Sequence, residues 1–262
     1  MLIDTHLHIF TAATPLGDDR WDHRARPAPA KDALAEFQVH GVSKGILATA
    51  GTYRFHREDF TQALAAHANL GATTNLPWDV PEAELRRLGA LGFLGIRLHW
   101  RPLDMTPDPD DAEQQRLFRL CAKLGWHVHV IDRPARLGRT IRAIERAGAC
   151  VVVDHMGFID TPDGTAHPCF QALLRAVDRG RCWVTLSGWF RFNACDPDAQ
   201  ARALVDAGGW DRVMWASDWP FVGHRGRVSY GDAVAALHRQ VPEPDLRARI
   251  GGETAERFYF SR

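Results

Sequence analysis

From Trp126 to Asp154 the chain reads WHVHVIDRPARLGRTIRAIERAGACVVVD. Trp126 to Ile131 alternates like a strand, Ala135 to Ala147 is amphipathic, Gly148 follows, and a second apolar run extends from Val151 to Asp154. Period-two alternation predicts a strand and a 3.6-residue apolar stripe predicts a helix, while a glycine just past the last turn suits a left-handed C-terminal cap. This stretch is therefore a strand, a helix and a second strand in sequence.

The same reading extends in both directions. Strands are expected at Leu2 to Phe10, Lys44 to Thr49, Leu70 to Asn75, Phe93 to His99, Trp183 to Ser187 and Arg212 to Ala216. Helices are expected at Lys31 to His40, Arg57 to His67, Pro81 to Leu91, Asp111 to Leu124, Pro168 to Arg179, Pro197 to Ala207 and Tyr230 to Gln240. The Pro- and Arg-rich segment from Thr14 to Pro29 reads as a long loop after strand 1, and Glu253 to Tyr259 as a final capping helix. Eight βα units in 262 residues predict a single-domain (β/α)8 barrel, of the TIM-barrel type, over residues 1–262. A doubly wound sheet has the same alternation, but no Gly-x-Gly-x-x-Gly follows strand 1 and no phosphate-binding loop appears.

Composition narrows the partners. Thirty-two basic residues balance 32 acidic ones, which removes the electrostatic basis for binding nucleic acid or an anionic membrane. No run approaches the roughly 20 apolar residues of a membrane span, and strand 1 follows the first Met with no leader-like segment, so a cytoplasmic protein is expected. The five cysteines form no Cys-x-x-Cys pair, so free thiols are expected rather than disulfides or a zinc knuckle. Only Lys31, Lys44 and Lys123 are lysines, so any single arginine is weak evidence of function. Aromatic segments outside the expected rim are compatible with a homodimer surface.

In a barrel the chemistry lies at the C-terminal ends of the strands. Asp4-Thr5-His6-Leu7-His8 places two imidazoles on one face of strand 1, and Arg97 and His99 share a face at the end of strand 4. His127 and His129 have the same spacing on strand 5. Strand 6 ends in Asp154-His155-Met156-Gly157, Trp189-Phe190-Arg191 follows strand 7, and Ser217-Asp218-Trp219-Pro220 follows strand 8. A lone histidine at a strand end is more often structural than a ligand. Here His6, His8, His99, His127, His129 and His155, out of 13 histidines, are expected on one rim with two arginines and an aspartate. Such a group can hold a divalent cation with an open position, or it can work without metal. In the second case Asp218 takes a proton from water while His6, His8 and His155 stabilise an oxyanion. Arg97 and Arg191 would grip carboxylates.

Asp4-Thr5-His6-Leu7-His8, Gly95-Ile96-Arg97, Asp154-His155-Met156-Gly157 and Ser217-Asp218-Trp219-Pro220, in this order and at these distances, resemble amidohydrolase family 2 of the amidohydrolase superfamily, and within it the 2-pyrone-4,6-dicarboxylate lactonase and sugar-lactonase branch. The resemblance implies a (β/α)8 hydrolase of a small carboxylated lactone, with Asp218 as general base and His6, His8 and His155 as its imidazole partners. It also implies substrate contacts from Arg97 and Arg191, with Arg101 near a third arginine position, and His99, His129 and Trp219 are expected to complete the substrate site. By the same resemblance no metal is required in the lactonases, whereas related decarboxylases hold one divalent ion, zinc or manganese, here on His6, His8, His155 and Asp218. A metal-dependent decarboxylase and a non-catalytic carboxylate-binding barrel are the alternatives. Two positions depart from the pattern: Phe221 stands where the lactonase branch has histidine, with His224 the nearest replacement, and Ile131 stands at the ligand-like position of strand 5.

Overall fold

Parallel strands buried on both faces need side chains that are apolar in both directions, and the strand runs here meet that need. A computed structural model of the chain describes residues 1–15, 27–53, 55–102 and 107–261. Residues 16–26 of the predicted loop lie outside that set.

Eight strands form one parallel sheet in sequence order: β1 (Leu2–Leu7), β2 (Val42–Leu47), β3 (Leu70–Thr74), β4 (Phe93–His99), β5 (His127–Ile131), β6 (Cys150–Val153), β7 (Cys182–Leu186) and β8 (Val213–Trp215). The helices are α1 (Ala30–His40), α2 (Glu58–Ala66), α3 (Glu82–Ala90), α4 (Ala112–Lys123), α5 (Pro134–Arg146), α6 (Pro168–Asp178), α7 (Pro197–Gly208), α8 (Tyr230–Gln240) and α9 (Pro244–Ala248). Each predicted strand and helix is present, with shifts of a few residues at the ends. Helix α5 shows why. Pro134 opens it at a position that needs no amide donor, and Leu137, Ile141 and Ile144 bury its apolar stripe against the sheet. Val128 and Val130 of β5 join that outer core, so the period of two turns His127 and His129 inward.

The sheet closes between β8 and β1. Thr5 Oγ1 donates to Trp215 O at 2.7 Å, Asp218 N to His6 O at 2.9 Å and His8 N to Trp219 O at 2.7 Å. Asp4, fully buried, accepts from Ser217 N at 2.9 Å, Tyr230 OH at 2.8 Å, His6 N at 3.2 Å and Ser217 Oγ.

The expected capping helix is longer than Glu253 to Tyr259. Helical backbone begins at Pro244 and continues through wide turns at Arg249–Glu253 and Glu256–Phe260. Glycine disfavours helix, so Gly251-Gly252 conceals the element in the sequence. The structure needs a glycine there because a Cβ on Gly252 would stand 2.3 Å from Met1 O. The turn brings Tyr259 into the barrel floor beside Ile3, Ile46, Val152 and Met214.

Asp4→Ala removes the acceptor of four donors and is expected to cost about 3 kcal/mol in urea unfolding, whereas a loss below about 1 kcal/mol would show that closure does not depend on it. Burial raises the Asp4 carboxyl from 3.8 to about 6. The folded state therefore keeps a proton that the unfolded chain releases, and this group's stabilisation is complete below about pH 4 and lost as pH rises through 6. Wild type should lose about 2 kcal/mol relative to Asp4→Asn between pH 4 and 7, and equal pH profiles would contradict this.

Candidate active site

The period of two on β1 and the β1–β8 closure bring His6, His8 and Asp218 together. His8 Nδ1 donates to Ala48 O at 2.7 Å, and His6 Nδ1 donates to Asp154 Oδ1 at 3.1 Å. With both Nδ1 protons placed, the two Nε2 atoms present lone pairs to each other at 3.3 Å. Asp218 Oδ1 lies 3.5 Å from His8 Nε2 and 3.9 Å from His155 Nε2. His155 Nδ1 pairs with Ser187 Oγ at 2.8 Å.

A second carboxylate lies deeper. Asp154 Oδ1 meets His6 Nδ1 and, at 3.2 Å, His129 Nδ1, while Oδ2 accepts from Arg97 Nε at 2.9 Å. Arg97 also donates to Thr49 O at 2.5 Å. His129 Nε2 reaches Tyr259 OH at 3.0 Å, so one polar chain joins His6 through Asp154 to the barrel floor. Burial alone would raise Asp154, but His6 and Arg97 hold it well below the usual carboxylate range. Burial lowers His6 well below its usual value, lowers His155 to about 4 and lowers His99 to about 3, so these rings are neutral at pH 7.

Backbone strain fixes the end of β6. His155, Met156 and Phe158 have φ of 52°, 53° and 46°, a left-handed run that costs of order 1 kcal/mol or more per non-glycine residue and concentrates at functional sites. Gly188, itself at φ 64°, lies against the His155 ring, where a Cβ would approach within 3.0 Å. Asp218 is also left-handed, with φ 64°. Burial alone would raise its carboxyl, yet the Arg191 guanidinium against Oδ2 holds it well below the ordinary range.

Above these groups opens a cavity of about 340 Å³ lined by His8, Arg97, His99, Arg101, His155, Arg191 and Asp218, with Phe10, Ile131, Phe158 and Val222 as apolar wall. Arg191 Nε and Nη2 both contact Asp218 Oδ2 at 2.8 Å. Arg101 donates to Phe158 O at 3.1 Å and stacks on that residue's ring. Three guanidiniums stand in the cavity lining with one carboxylate, Asp218, a balance that favours an anionic ligand.

Some expected rim residues lie elsewhere. His129 and His127 are fully buried below the cavity, because β5 pairs with β4 so that His129 is level with Arg97 and Ile131 with His99. His129 therefore touches Asp154 rather than the cavity. Trp219 is turned out of the cavity by the left-handed Asp218 and faces Tyr230, Pro220 and Glu36 in a separate hollow. His224 packs on Phe190, with ring centroids 5.0 Å apart, and Phe221 packs there too, so neither lines the cavity. Asp154, Ser187, Thr49 and Tyr259 received no role from sequence. Only Asp154 carried a usable signal, being a buried-strand carboxylate next to His155.

The barrel and this histidine–aspartate rim define the class, and the family pattern described as amidohydrolase matches residues 3–260. The chain belongs to the amidohydrolase family and is an enzyme of it. It is 26% identical over 258 residues to 4-sulfomuconolactone hydrolase of Rhizobium radiobacter, spanning 94% of this chain and 86% of that one. It is 25% identical over 280 residues to 2-pyrone-4,6-dicarboxylate hydrolase of Comamonas testosteroni, spanning 98% and 90%. Among solved structures, a Pseudomonas putida protein assigned as a 2-pyrone-4,6-dicarboxylic acid hydrolase superposes with a TM-score of 0.90 at 31% identity, covering 98% of this chain and 97% of that one.

Arg97→Met strands the Asp154 charge in the barrel and is expected to cost 3 kcal/mol or more in chemical unfolding. The double variant with Asp154→Asn should recover most of that loss, and failure to recover it would show that the ion pair is not what Arg97 supplies.

Proposed function

We propose that the enzyme hydrolyses a small lactone bearing one or more carboxylates. The observation that carries this reading is a single cavity in which a buried carboxylate, Asp218, faces His8 and His155 while three guanidiniums line the same wall. The named relatives support it, since sulfomuconolactone and pyrone dicarboxylate are both cyclic esters carrying anionic groups.

In this mechanism Arg101 and Arg191 bind the substrate carboxylates and orient the ring. Arg97 is spent on Asp154 and Thr49, so it contributes its positive field and its remaining N–H groups rather than a free clamp. Asp218 accepts a proton from the attacking water, and that proton then passes to the ring oxygen as the C–O bond breaks. Of the three imidazoles, His155 can donate its Nε2–H to the developing oxyanion while its Nδ1 accepts from Ser187 Oγ, whereas His6 and His8, with their Nδ1 protons on Asp154 and Ala48 O, would act on it through a proton or cation shared by their Nε2 atoms. These rings are held rigidly by Asp154, Ala48 O and Ser187, so they need no reorientation as charge develops.

The same donors suit a divalent cation. Donor atoms of His6, His155 and Asp218 lie within 4.8 Å of one another, and the opposed lone pairs of His6 and His8 at 3.3 Å repel unless a cation or proton stands between them. With burial keeping His6 neutral, a cation satisfies both nitrogens. Zinc or manganese held by His6, His8, His155 and Asp218 would polarise the carbonyl and acidify water. The other buried cluster, His6 with His129 and Asp154, already has its positive charge in Arg97. All five cysteines are free, which supports a reducing, cytoplasmic compartment.

The test is a ring-opening screen of mono- and dicarboxylated lactones, run with and without chelator and added zinc or manganese, beside elemental analysis of the purified protein. Hydrolysis is expected, with Asp218→Asn lowering kcat by about 10² to 10⁴ while circular dichroism stays unchanged. Near wild-type kcat in that variant would remove Asp218 as the base. Release of CO2 from aromatic acids without ring opening of any lactone would replace this reading with a decarboxylase.

A further inference from the structure

The three arginines at the cavity are not equivalent. Arg97 is 4% exposed and locked between Asp154 and Thr49 O. Arg101 is held by Phe158, through its carbonyl and its ring. Arg191 is different in what it holds. Its Nε and Nη2 both reach Asp218 Oδ2 at 2.8 Å, and its Nη1 donates to Val222 O at 3.2 Å. The Nε/Nη2 side of a guanidinium is one of the two sides that can grip a carboxylate with paired N–H donors. Here that side rests on the enzyme's own carboxylate.

The two partners also differ in freedom. The Asp218 side chain is 1% exposed and confined by His8 and His155 at its other oxygen. Arg191 is 20% exposed, sits on a short turn after β7 (Trp189–Arg191) that opens at the left-handed Gly188, and rests its guanidinium over the Phe190 ring at 4.9 Å. A substrate carboxylate entering the cavity therefore meets the solvent-facing partner of the pair, with the base buried behind it. Both anions compete for the same N–H groups, and a planar cation already partly in water loses less by exchanging partners than a buried pair would.

We propose that Arg191 is a specificity-determining residue that exchanges partners: before substrate binds it covers Asp218 Oδ2, and a carboxylate of the bound lactone draws it away, freeing that oxygen to take the proton of the attacking water. A lactone without the carboxylate leaves the base covered, so selectivity appears in kcat as well as in KM. Oδ1 stays with the imidazoles throughout. The inference rests on Asp218 acting as the base of the lactonase proposed above, but the exchange itself is a binding event and is read without turnover.

The experiment is a double-mutant cycle with isophthalate, an aromatic dicarboxylate that cannot be hydrolysed, titrated by calorimetry into wild type, Asp218→Asn, Arg191→Met and the double variant. If Arg191 must leave Asp218 to bind the ligand, Asp218→Asn tightens isophthalate binding about tenfold, and the gain falls below about twofold in the Arg191→Met background. An equal gain in both backgrounds shows that removal of a negative charge suffices, and overturns the exchange. No gain in either background, or no binding by any of the four proteins, overturns it as well. Failure of the lactonase reading is seen separately, as absence of ring opening by wild type, and leaves the cycle interpretable.

Discussion

A full carboxylate charge inside a barrel is tolerable only if every oxygen is answered, and Asp154 is the case on which this site depends. Its two oxygens meet His6 from β1, Arg97 from β4 and His129 from β5, so three strands are tied to the end of a fourth through one residue. Removing any partner leaves charge uncompensated in low dielectric, which makes the arrangement close to all-or-none. The energetic return is geometric. His6 has its tautomer fixed with Nε2 turned to His8, and Arg97 is held at a set height in the cavity wall.

That network divides the interior into two levels. Below it, Ile3, Ile46, Val152, Met214 and Tyr259 pack as an apolar plug. Above it, charge accumulates on the side that opens outward, where Arg191 and Asp218 face one another. Neutral imidazoles between these levels suit the proposed mechanism, in which the reactive proton travels between water, Asp218 and substrate rather than being stored on histidine.

Much of this was legible in the chain. Strand and helix order came through because barrel strands alternate faces and the helices carry clean apolar stripes, as α5 does. His6, His8, His155 and Asp218 were legible because each sits at a strand end inside a distinctive tetrapeptide or pentapeptide. Height along one strand was legible, since His129 precedes Ile131 on the same face and so lies deeper, but height against the neighbouring strand was not: only the pairing of β5 with β4 sets His129 level with Arg97. The direction of Trp219 depends on the left-handed φ of Asp218, which sequence gives no reason to expect of an aspartate followed by tryptophan. Tyr259 finds His129 across 130 positions, through a turn whose paired glycines argue against helix.

The closure of β1 on β8 and the reach of Tyr259 to His129 have a temporal side. A chain emerging from the ribosome presents His6 and His8 before any other residue of the site, yet the partners that shape them come long after: Asp218 after β8, Tyr230 to hold Asp4, and Tyr259 under His129. Until then β1 has an unpaired edge and the polar interior lacks its floor. The pocket is thus complete only after the whole barrel has been made, and until β8 is made the edge of β1 is open to whatever else it meets.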